Sequence, residues 1–216
     1  MKRWSIGLLG CLVLTVCAFG LYTRFLNDNH AFHSKKDRKY HEYKIVPSYT
    51  KLDNKGNPLP NSASHWGMVR DNNSGLIWEV KQNMDGVKNY SDPHDADNKY
   101  TWYDSNPTTN GGAAGSKNGI RNTESFLSAL NVDYFGGYSD WRLPTQVELF
   151  SLVSRDRFLP AISNDYFPNI KTAHYWSSIS AKIMYGAWGV DFSFGYGGSY
   201  YKGYYFYALA VRGKCK

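Results

Sequence analysis

The stretch GGYSDWRLPTQVELFSLVSRD, residues 136–156, decides the fold of this 216-residue chain. Within it, Thr145 is followed three positions later by Glu148. This Thr-x-x-Glu spacing is a capping box, in which each side chain accepts a hydrogen bond from a backbone N–H at the start of a helix. We therefore predict a short helix that follows Pro144 and ends near Arg155. Its buried face is expected to comprise Leu149, Leu152 and Val153.

The residues around this helix start are interpreted as structural. Trp141 and Leu143 are expected to anchor the turn that leads into the helix. Arg142 is expected to pair with a carboxylate, either Asp140 or Glu148. The YWSS run farther along is expected to lie in the core and a turn. The residues to which we assign structural roles are Trp141, Arg142, Leu143, Pro144, Thr145, Glu148, Trp176 and Trp188.

Upstream of this region, the sequence predicts a hairpin, a long loop and another helix. Two short apolar runs in WGMVRDNNSGLIWEV, residues 66–80, flank a cluster of Asp, Asn and Gly, which is typical of a β-hairpin. Residues 82–121 are rich in Asp, Asn, Gly and Pro and are predicted to form an irregular loop. A helix is predicted to begin at residues 122–125, because apolar residues follow there at helical spacing.

The last third of the chain is predicted to close the fold with a C-terminal β-hairpin. Apolar residues alternate with small or polar residues along 188–193 and again along 207–212. The glycine-rich run FGYGGS, residues 194–199, lies between them and is expected to form the turn. Together these elements predict an α+β fold with two short helices, looped antiparallel strands and a C-terminal hairpin.

Positive charge is concentrated before the predicted folded part. Residues 1–27 contain three basic and no acidic residues, residues 28–63 contain seven and four, and residues 64–216 contain fifteen and fourteen, which gives the net charge of +7. A nucleic-acid-binding domain usually carries its positive charge on the folded part, so we expect no nucleic-acid binding. The composition, 42% apolar and 20% charged, also excludes a wholly disordered chain.

Residues 1–27 are predicted to be an export segment. Lys2 and Arg3 precede an uncharged apolar run over residues 6–19. Three fates of this segment stay open: cleavage as a signal peptide after Ala18 or Gly20, retention of residues 4–22 as a single membrane anchor, and lipidation at Cys17. Each of them places the rest of the chain outside the cytoplasm, in the periplasm, at the cell surface or in the medium.

Residues 28–63 are predicted to be a polar, basic linker to a folded domain at residues 64–216. Three prolines interrupt any regular element in the linker. The linker either stays solvated or packs across the domain as an extended arm, and its basic residues leave open a contact with anionic polymers or lipid head groups. Cys215 is the one cysteine outside the export segment, so a cleaved chain has no intramolecular disulfide.

The predicted domain shows no complete catalytic or metal-binding pattern. Its histidines stand apart from one another, which disfavours a zinc site, and no serine is accompanied by a His–Asp pattern. We therefore expect a domain that is not an enzyme and holds no metal or cofactor. The loop DPHDADN is either solvated or binds calcium without EF-hand spacing. Its candidate oxygen ligands are Asp92, Asp95, Asp97 and Asn98.

An aromatic cluster near the C terminus is the strongest candidate for a binding site. The run GYGGSYYKGYYFY, residues 195–207, combines tyrosines and glycines around Lys202. A tyrosine ring offers a flat apolar face and a hydroxyl, which suits sugar rings or protein partners. Lys202 is expected to contact a sulfate or carboxylate; the alternative is that the run only builds a twisted hairpin. The candidate ligand-binding residues are Tyr196, Tyr200, Tyr201, Lys202, Tyr204 and Tyr205.

Several blocks taken together resemble a known family. The chain is similar to the Lcl (Legionella collagen-like protein) C-terminal domain family in the order and spacing of GYSDWRLPTQVEL, FLPAISNDYFPN, YWSS, AWGVDFSFG and a final VRG. The earlier runs SGLIWEV and YTWYDSNP also fit its pattern. The resemblance covers about residues 64–213, roughly 70% of the chain.

The resemblance implies a C-type lectin-like architecture and an extracytoplasmic binding domain, which in some members is an adhesin for sulfated glycans. Many relatives carry cysteines before the WRLPT run, whereas this chain has none there, so Cys215 lacks its usual partner. We expect an exported adhesion domain that recognises an extracellular polymer such as an anionic glycan, with membrane contact only through the N-terminal segment. The alternative is an envelope structural or assembly protein whose aromatic surface binds a protein partner or itself, as a homo-oligomer.

Overall fold

Two antiparallel sheets and two α-helices give the α+β fold that the sequence predicts. The computed structural model describes residues 48–181 and 185–214. The elements in chain order are β1 (Tyr49–Leu52), β2 (Met68–Asp71), β3 (Ile77–Glu79), α1 (Thr123–Val132), a 3-10 turn (Phe135–Gly137), α2 (Gln146–Ser151), β4 (His174–Ala181), β5 (Gly186–Asp191), β6 (Tyr196–Tyr201) and β7 (Val211–Arg212).

Part of what the sequence predicts lies outside the described residues. This applies to the export segment with Cys17, to the linker over residues 28–47 and to Cys215. Among the residues that the structure does describe, no helix has both the length and the apolar character needed to cross a membrane.

The first sheet contains the hairpin predicted over residues 66–80. Its strand order is β1-β2-β3-β7, and β2 pairs antiparallel with β3. Asp71 shapes the turn, because its Oδ1 accepts a hydrogen bond of 2.8 Å from the backbone N–H of Asn73. Gly75 completes the turn at a φ of +79°, a conformation that favours glycine. This prediction is confirmed.

Strand β1 corrects the boundary predicted between linker and domain at residue 63. It pairs antiparallel with β2, and Leu52 in it is buried in the hydrophobic core. The Lys51 ammonium donates a hydrogen bond of 2.9 Å to the backbone oxygen of Ala63. Residues 48–63 therefore fold with the domain, within a compact unit over Pro47–Lys214. A strand of four residues among prolines carries too little periodicity to be recognised.

The second sheet has the order β4-β5-β6. Strands β5 and β6 form its C-terminal hairpin, and β6 is not the second strand that the sequence predicts. The turn lies at residues 192–195, where the Asp191 carboxylate accepts a hydrogen bond of 2.8 Å from the Ser193 N–H. The predicted second strand is divided instead: Tyr207 bridges to Tyr175 of β4, whereas β7 pairs with β3 in the first sheet and Val211 lies opposite Trp78. Period-2 alternation identifies a strand without identifying its partner.

The loop over residues 82–121 is irregular, as predicted, and two buried tryptophans connect it to β4. Trp102 donates its indole N–H to the backbone oxygen of Ser177 at 2.9 Å. Trp176 donates its indole N–H to the backbone oxygen of Tyr100 at 2.8 Å. Helix α1 begins directly after this loop, where the sequence predicts it. The loop is thus fixed to the second sheet and carries part of the core.

Helix α2 begins with the predicted capping box. The Glu148 N–H donates to Thr145 Oγ1 at 3.2 Å, and the Thr145 N–H donates to Glu148 Oε2 at 2.7 Å. Of the two carboxylates predicted for Arg142, Glu148 is the partner, with guanidinium–carboxylate distances of 2.7 and 2.8 Å. The helix ends at Ser151, earlier than predicted, because the Ser154 N–H bonds to the backbone of a later loop and turns the chain away.

One hydrophobic core joins the two sheets and α1. Its members come from both sheets, from the loop before α1 and from the region around the WRLPT run. They include Leu52, Met68, Ile77, Tyr100, Trp102, Phe126, Leu130, Trp141, Leu143, Trp176 and Ala187. On α2, Leu149 and Leu152 are buried as predicted, whereas Val153 is half-buried.

Acid is expected to destabilise the domain through Glu148. Burial raises the pKa of Glu148, but hydrogen bonds from Arg142 and Thr145 outweigh burial and leave the pKa below its usual value of 4.5. Stability contributed by a carboxylate with a lowered folded-state pKa is complete above pH 4.5 and is lost as the pH falls through that pKa. We expect the thermal midpoint to fall from pH 5 to pH 3, and to fall less in Glu148→Gln. Equal slopes for both proteins would contradict this assignment.

Candidate functional site

Three exposed tyrosines stand close together in the sequence, at the last residue of β6 and just after it. Tyr201, Tyr204 and Tyr205 are between 42% and 56% exposed. The rings of Tyr201 and Tyr204 pack edge to face, with their centroids 5.8 Å apart. Asn118 donates its side-chain N–H to the Tyr205 hydroxyl. We call Tyr201, Tyr204 and Tyr205 the tyrosine surface.

The other two predicted tyrosines do not belong to this surface. Tyr200 is half-buried, and its ring packs edge-on against His174 and Phe206 with centroid distances of 4.8 and 5.0 Å. Burial accordingly raises the pKa of the Tyr200 hydroxyl. Tyr196 is exposed, but it lies at the opposite end of β6, paired with Asp191 beside the hairpin turn. The structure thus divides the sequence cluster into three separate environments.

Lys202 lies inside the protein instead of beside the tyrosines in solvent. It is 1% exposed, and its ammonium donates to Asn110 O at 2.9 Å, Ala113 O at 2.5 Å and Ser180 Oγ at 2.8 Å. The ammonium also lies 4.0 Å from the centroid of the Trp102 ring. All three of its hydrogens are therefore used, and burial lowers the pKa of Lys202. This geometry corrects the predicted contact with a sulfate or carboxylate, and Lys202 instead joins a loop to the second sheet.

Two other basic residues lie on a loop that contacts Tyr205. Lys117 and Arg121 are exposed and belong to the loop whose Asn118 contacts Tyr205. The Arg121 guanidinium lies 5.2 Å from the centroid of the Tyr90 ring. A loop that carries basic side chains therefore borders the tyrosine surface.

The residues predicted to be structural occupy different depths. Trp141 is buried and donates its indole N–H to the backbone oxygen of Phe135 at 2.9 Å. Trp176 is fully buried within β4, in a strand and not in a turn. Trp188 on β5 is only half-buried. The motif around WRLPT therefore lies in the core and at the start of α2, although the Arg142 side chain stays 39% exposed.

A buried ionic cluster at the end of β3 is absent from the sequence predictions. The fully buried carboxylate of Glu79 lies 2.9 Å from Lys81 Nζ and 3.0 Å from His94 Nδ1. It also accepts a hydrogen bond of 3.2 Å from the Ala210 N–H. Burial raises the pKa of Glu79, but Lys81 and His94 outweigh burial and leave the pKa lowered. Glu79 and Lys81 are two positions apart, which places both side chains on one face of an extended segment, and this spacing was the sequence signal for the pair.

The acidic loop at residues 92–98 is engaged by the protein itself. The Asp97 carboxylate accepts hydrogen bonds from the Gly86 N–H at 2.7 Å and from Lys171 Nζ at 2.5 Å. The Asp92 carboxylate accepts one from the Asn83 side chain at 3.0 Å. In the part of the chain that the structure describes, no group of three or more His, Cys, Asp or Glu residues is placed to hold a metal ion.

Two small adjoining cavities lie apart from the tyrosine surface. They have volumes of about 240 and 270 Å³ and share His65, Trp66 and Gln82 as lining residues. No tyrosine of the tyrosine surface lines either cavity. The rings of the tyrosine surface are instead exposed to solvent.

Comparison with protein families identifies the folded part. A model described as the Lcl C-terminal domain matches residues 67–212, about two thirds of the chain. The match extends from the residue before β2 into β7 and includes both helices and the whole second sheet. Comparison with curated proteins and with solved structures finds no match.

Proposed function

The chain belongs to the Lcl C-terminal domain family, and from this premise we propose that it is an exported, non-enzymatic domain that binds an extracellular polymer. An anionic glycan is the polymer class that its surface chemistry fits best. Export is supported by the basic and then apolar N-terminal sequence. We also propose a C-type lectin-like architecture, which is supported by the family and by the combination of two helices with looped antiparallel strands.

The tyrosine surface is the observation that carries this proposal. Tyr201 and Tyr204 present two rings at a right angle, and the planar face of a sugar stacks on such rings while hydroxyls bond at their edges. Arg121 and Lys117 add positive charge along the bordering loop, which suits sulfates or carboxylates on the same polymer. Rings, hydroxyls and cations bind a polymer without reacting with it, so this surface supports adhesion and not catalysis.

Removal of two rings is expected to weaken polysaccharide binding. In Tyr201→Ala/Tyr204→Ala, each lost ring removes roughly 0.5–1.5 kcal/mol of contact energy, so we expect the Kd for heparin to rise about tenfold. The measurement is binding of the full chain to immobilised heparin at two salt concentrations. Tyr134→Asn is the matched control, because Tyr134 is exposed elsewhere and asparagine tolerates its positive φ of 49°.

Each outcome of this measurement assigns the activity differently. Heparin binding that the double variant retains in full would reject the tyrosine surface as the site. Binding that depends instead on the basic residues between 28 and 47 would assign it to the linker. A chain that does not bind heparin or its desulfated form would favour the envelope-assembly alternative, with a protein partner on the tyrosine surface.

A further inference from the structure

Apolar side chains project from two neighbouring loops at the turn end of the second sheet. Phe158, Leu159 and Phe194 are between 56% and 72% exposed. The loops lie side by side, because the Leu159 N–H donates a hydrogen bond of 2.8 Å to the backbone oxygen of Ser193. We call Phe158, Leu159 and Phe194 the apolar tip.

The apolar tip is held outward by buried neighbours. Ala161 and Phe192 are at most 1% exposed, and the Ala161 N–H donates a hydrogen bond of 2.7 Å to the backbone oxygen of Phe192. These two residues anchor the bases of both loops in the interior. Leu159 itself has a φ of 55°, a left-handed conformation that is strained for a leucine. Residues in strained backbone conformations cluster at functional sites.

A lipid surface matches this arrangement. Arg157 is exposed on the loop that carries Phe158, where it can reach a phosphate head group. The Arg157 guanidinium lies 3.6 Å from the Asp165 carboxylate, and both side chains of this pair are exposed to solvent. The exposed Tyr196 lies at the same end of β6 and adds the amphipathic ring that is enriched at membrane interfaces. Apolar side chains on loop tips enter the boundary between head groups and acyl chains, whereas a protein partner would need a matching groove.

The rest of the chain also favours a lipid partner. The apolar run over residues 6–19 is predicted either to cross a membrane during export or to stay in one. We propose that the apolar tip inserts into the head-group region of a lipid bilayer, with Arg157 at the phosphates. This contact is separate from the tyrosine surface, which lies at the other end of β6, and it adds to the membrane contact expected of the N-terminal segment.

Depth-dependent fluorescence quenching tests this insertion in the full chain. Phe194→Trp introduces a reporter at the apolar tip, and Val132→Trp introduces one at another exposed site, at the end of α1. Each variant is reconstituted into phosphatidylcholine–phosphatidylglycerol vesicles with brominated or unbrominated acyl chains, and the quenching of the parent chain is subtracted. We expect brominated lipid to reduce the added emission of Phe194→Trp at least twofold and to leave that of Val132→Trp unchanged.

Further variants separate insertion from other causes of quenching. Phe158→Ser and Leu159→Asn, added to Phe194→Trp, are expected to remove most of the quenching, because they take two apolar side chains from the tip. Phe158→Trp provides a second reporter should Phe194→Trp fold poorly. The proposal is overturned if brominated lipid leaves the emission of both tip reporters unchanged. It is also overturned if their quenching equals that of Val132→Trp.

Discussion

Glu79→Gln is expected to lower the free energy of unfolding by about 3–5 kcal/mol, because it leaves a buried lysine without its counter-charge. The Glu79 carboxylate is fully buried between Lys81 at 2.9 Å and His94 at 3.0 Å. Glutamine has almost the same shape, so packing is preserved and the loss is electrostatic. A change of this size is a large part of the stability of a typical domain. Urea unfolding of the parent and the variant measures it.

The pH dependence of this variant identifies the cause. Burial already lowers the pKa of Lys81 in the parent, and removal of the carboxylate at Glu79 lowers it further. Lys81 in the folded variant then loses its proton at a lower pH than Lys81 in the unfolded chain, whose pKa is 10.5. The unfolded state binds more protons, so the stability of the variant rises as the pH increases toward 10.

The double variant Glu79→Met/Lys81→Met is the control. It removes both charges and fills the site with apolar volume, so we expect a smaller loss than in Glu79→Gln. Glutamine keeps one side-chain oxygen that can accept from the Ala210 N–H, whereas methionine keeps none. A smaller loss in the double variant is therefore attributable to removal of the unpaired charge. A Glu79→Gln protein within 1 kcal/mol of the parent would contradict a structural role for the cluster.

Lys202→Met is the second large effect, with an expected loss of about 2–4 kcal/mol. Methionine keeps the aliphatic stem beside Trp102 but cannot donate to Asn110 O, Ala113 O or Ser180 Oγ. These buried acceptors then lose a charged donor, and the loop that carries Asn110 and Ala113 loses its attachment to the second sheet. Thermal and urea unfolding of the full chain measure the loss.

Lys117→Met is the matched control for this substitution. It removes the same group from an exposed position on the loop that borders the tyrosine surface, and we expect its unfolding free energy to stay within about 0.5 kcal/mol of the parent. Below its unfolding transition, Lys202→Met is expected to keep its affinity for heparin within about twofold. Lost heparin affinity at unchanged stability would instead assign Lys202 to the ligand, as the sequence suggests.

Local signals were sufficient for part of the architecture. The capping box needs only Thr145 and Glu148, three positions apart, and the turn at Asp71 needs only its own side chain and the next few residues. Family membership also follows from the order of short blocks in the sequence. The match over residues 67–212 confirms that resemblance. The functions that we attach to the export segment remain predictions, because they lie outside the described residues.

The candidate site shows where local signals stop being sufficient. The sequence places Lys202 among tyrosines, and a lysine between exposed tyrosines is expected to be exposed as well. The structure buries it because its acceptors come from Asn110 and Ala113, about ninety positions earlier in the chain. Tyr196 and Tyr201 are close in sequence, yet β6 places them at opposite ends of a strand.

By itself, the sequence determined the secondary structure that depends on neighbours within a few residues, namely the helix starts, the first hairpin and the strand character of the last third. The tertiary structure alone decided which strands pair and which charges are buried together. β7 joins β3 in the first sheet, and the Ala210 N–H meets the Glu79 carboxylate across 131 positions. The physical reason is that period-2 alternation records which face of a strand is buried, whereas the choice of partner depends on how the whole core packs.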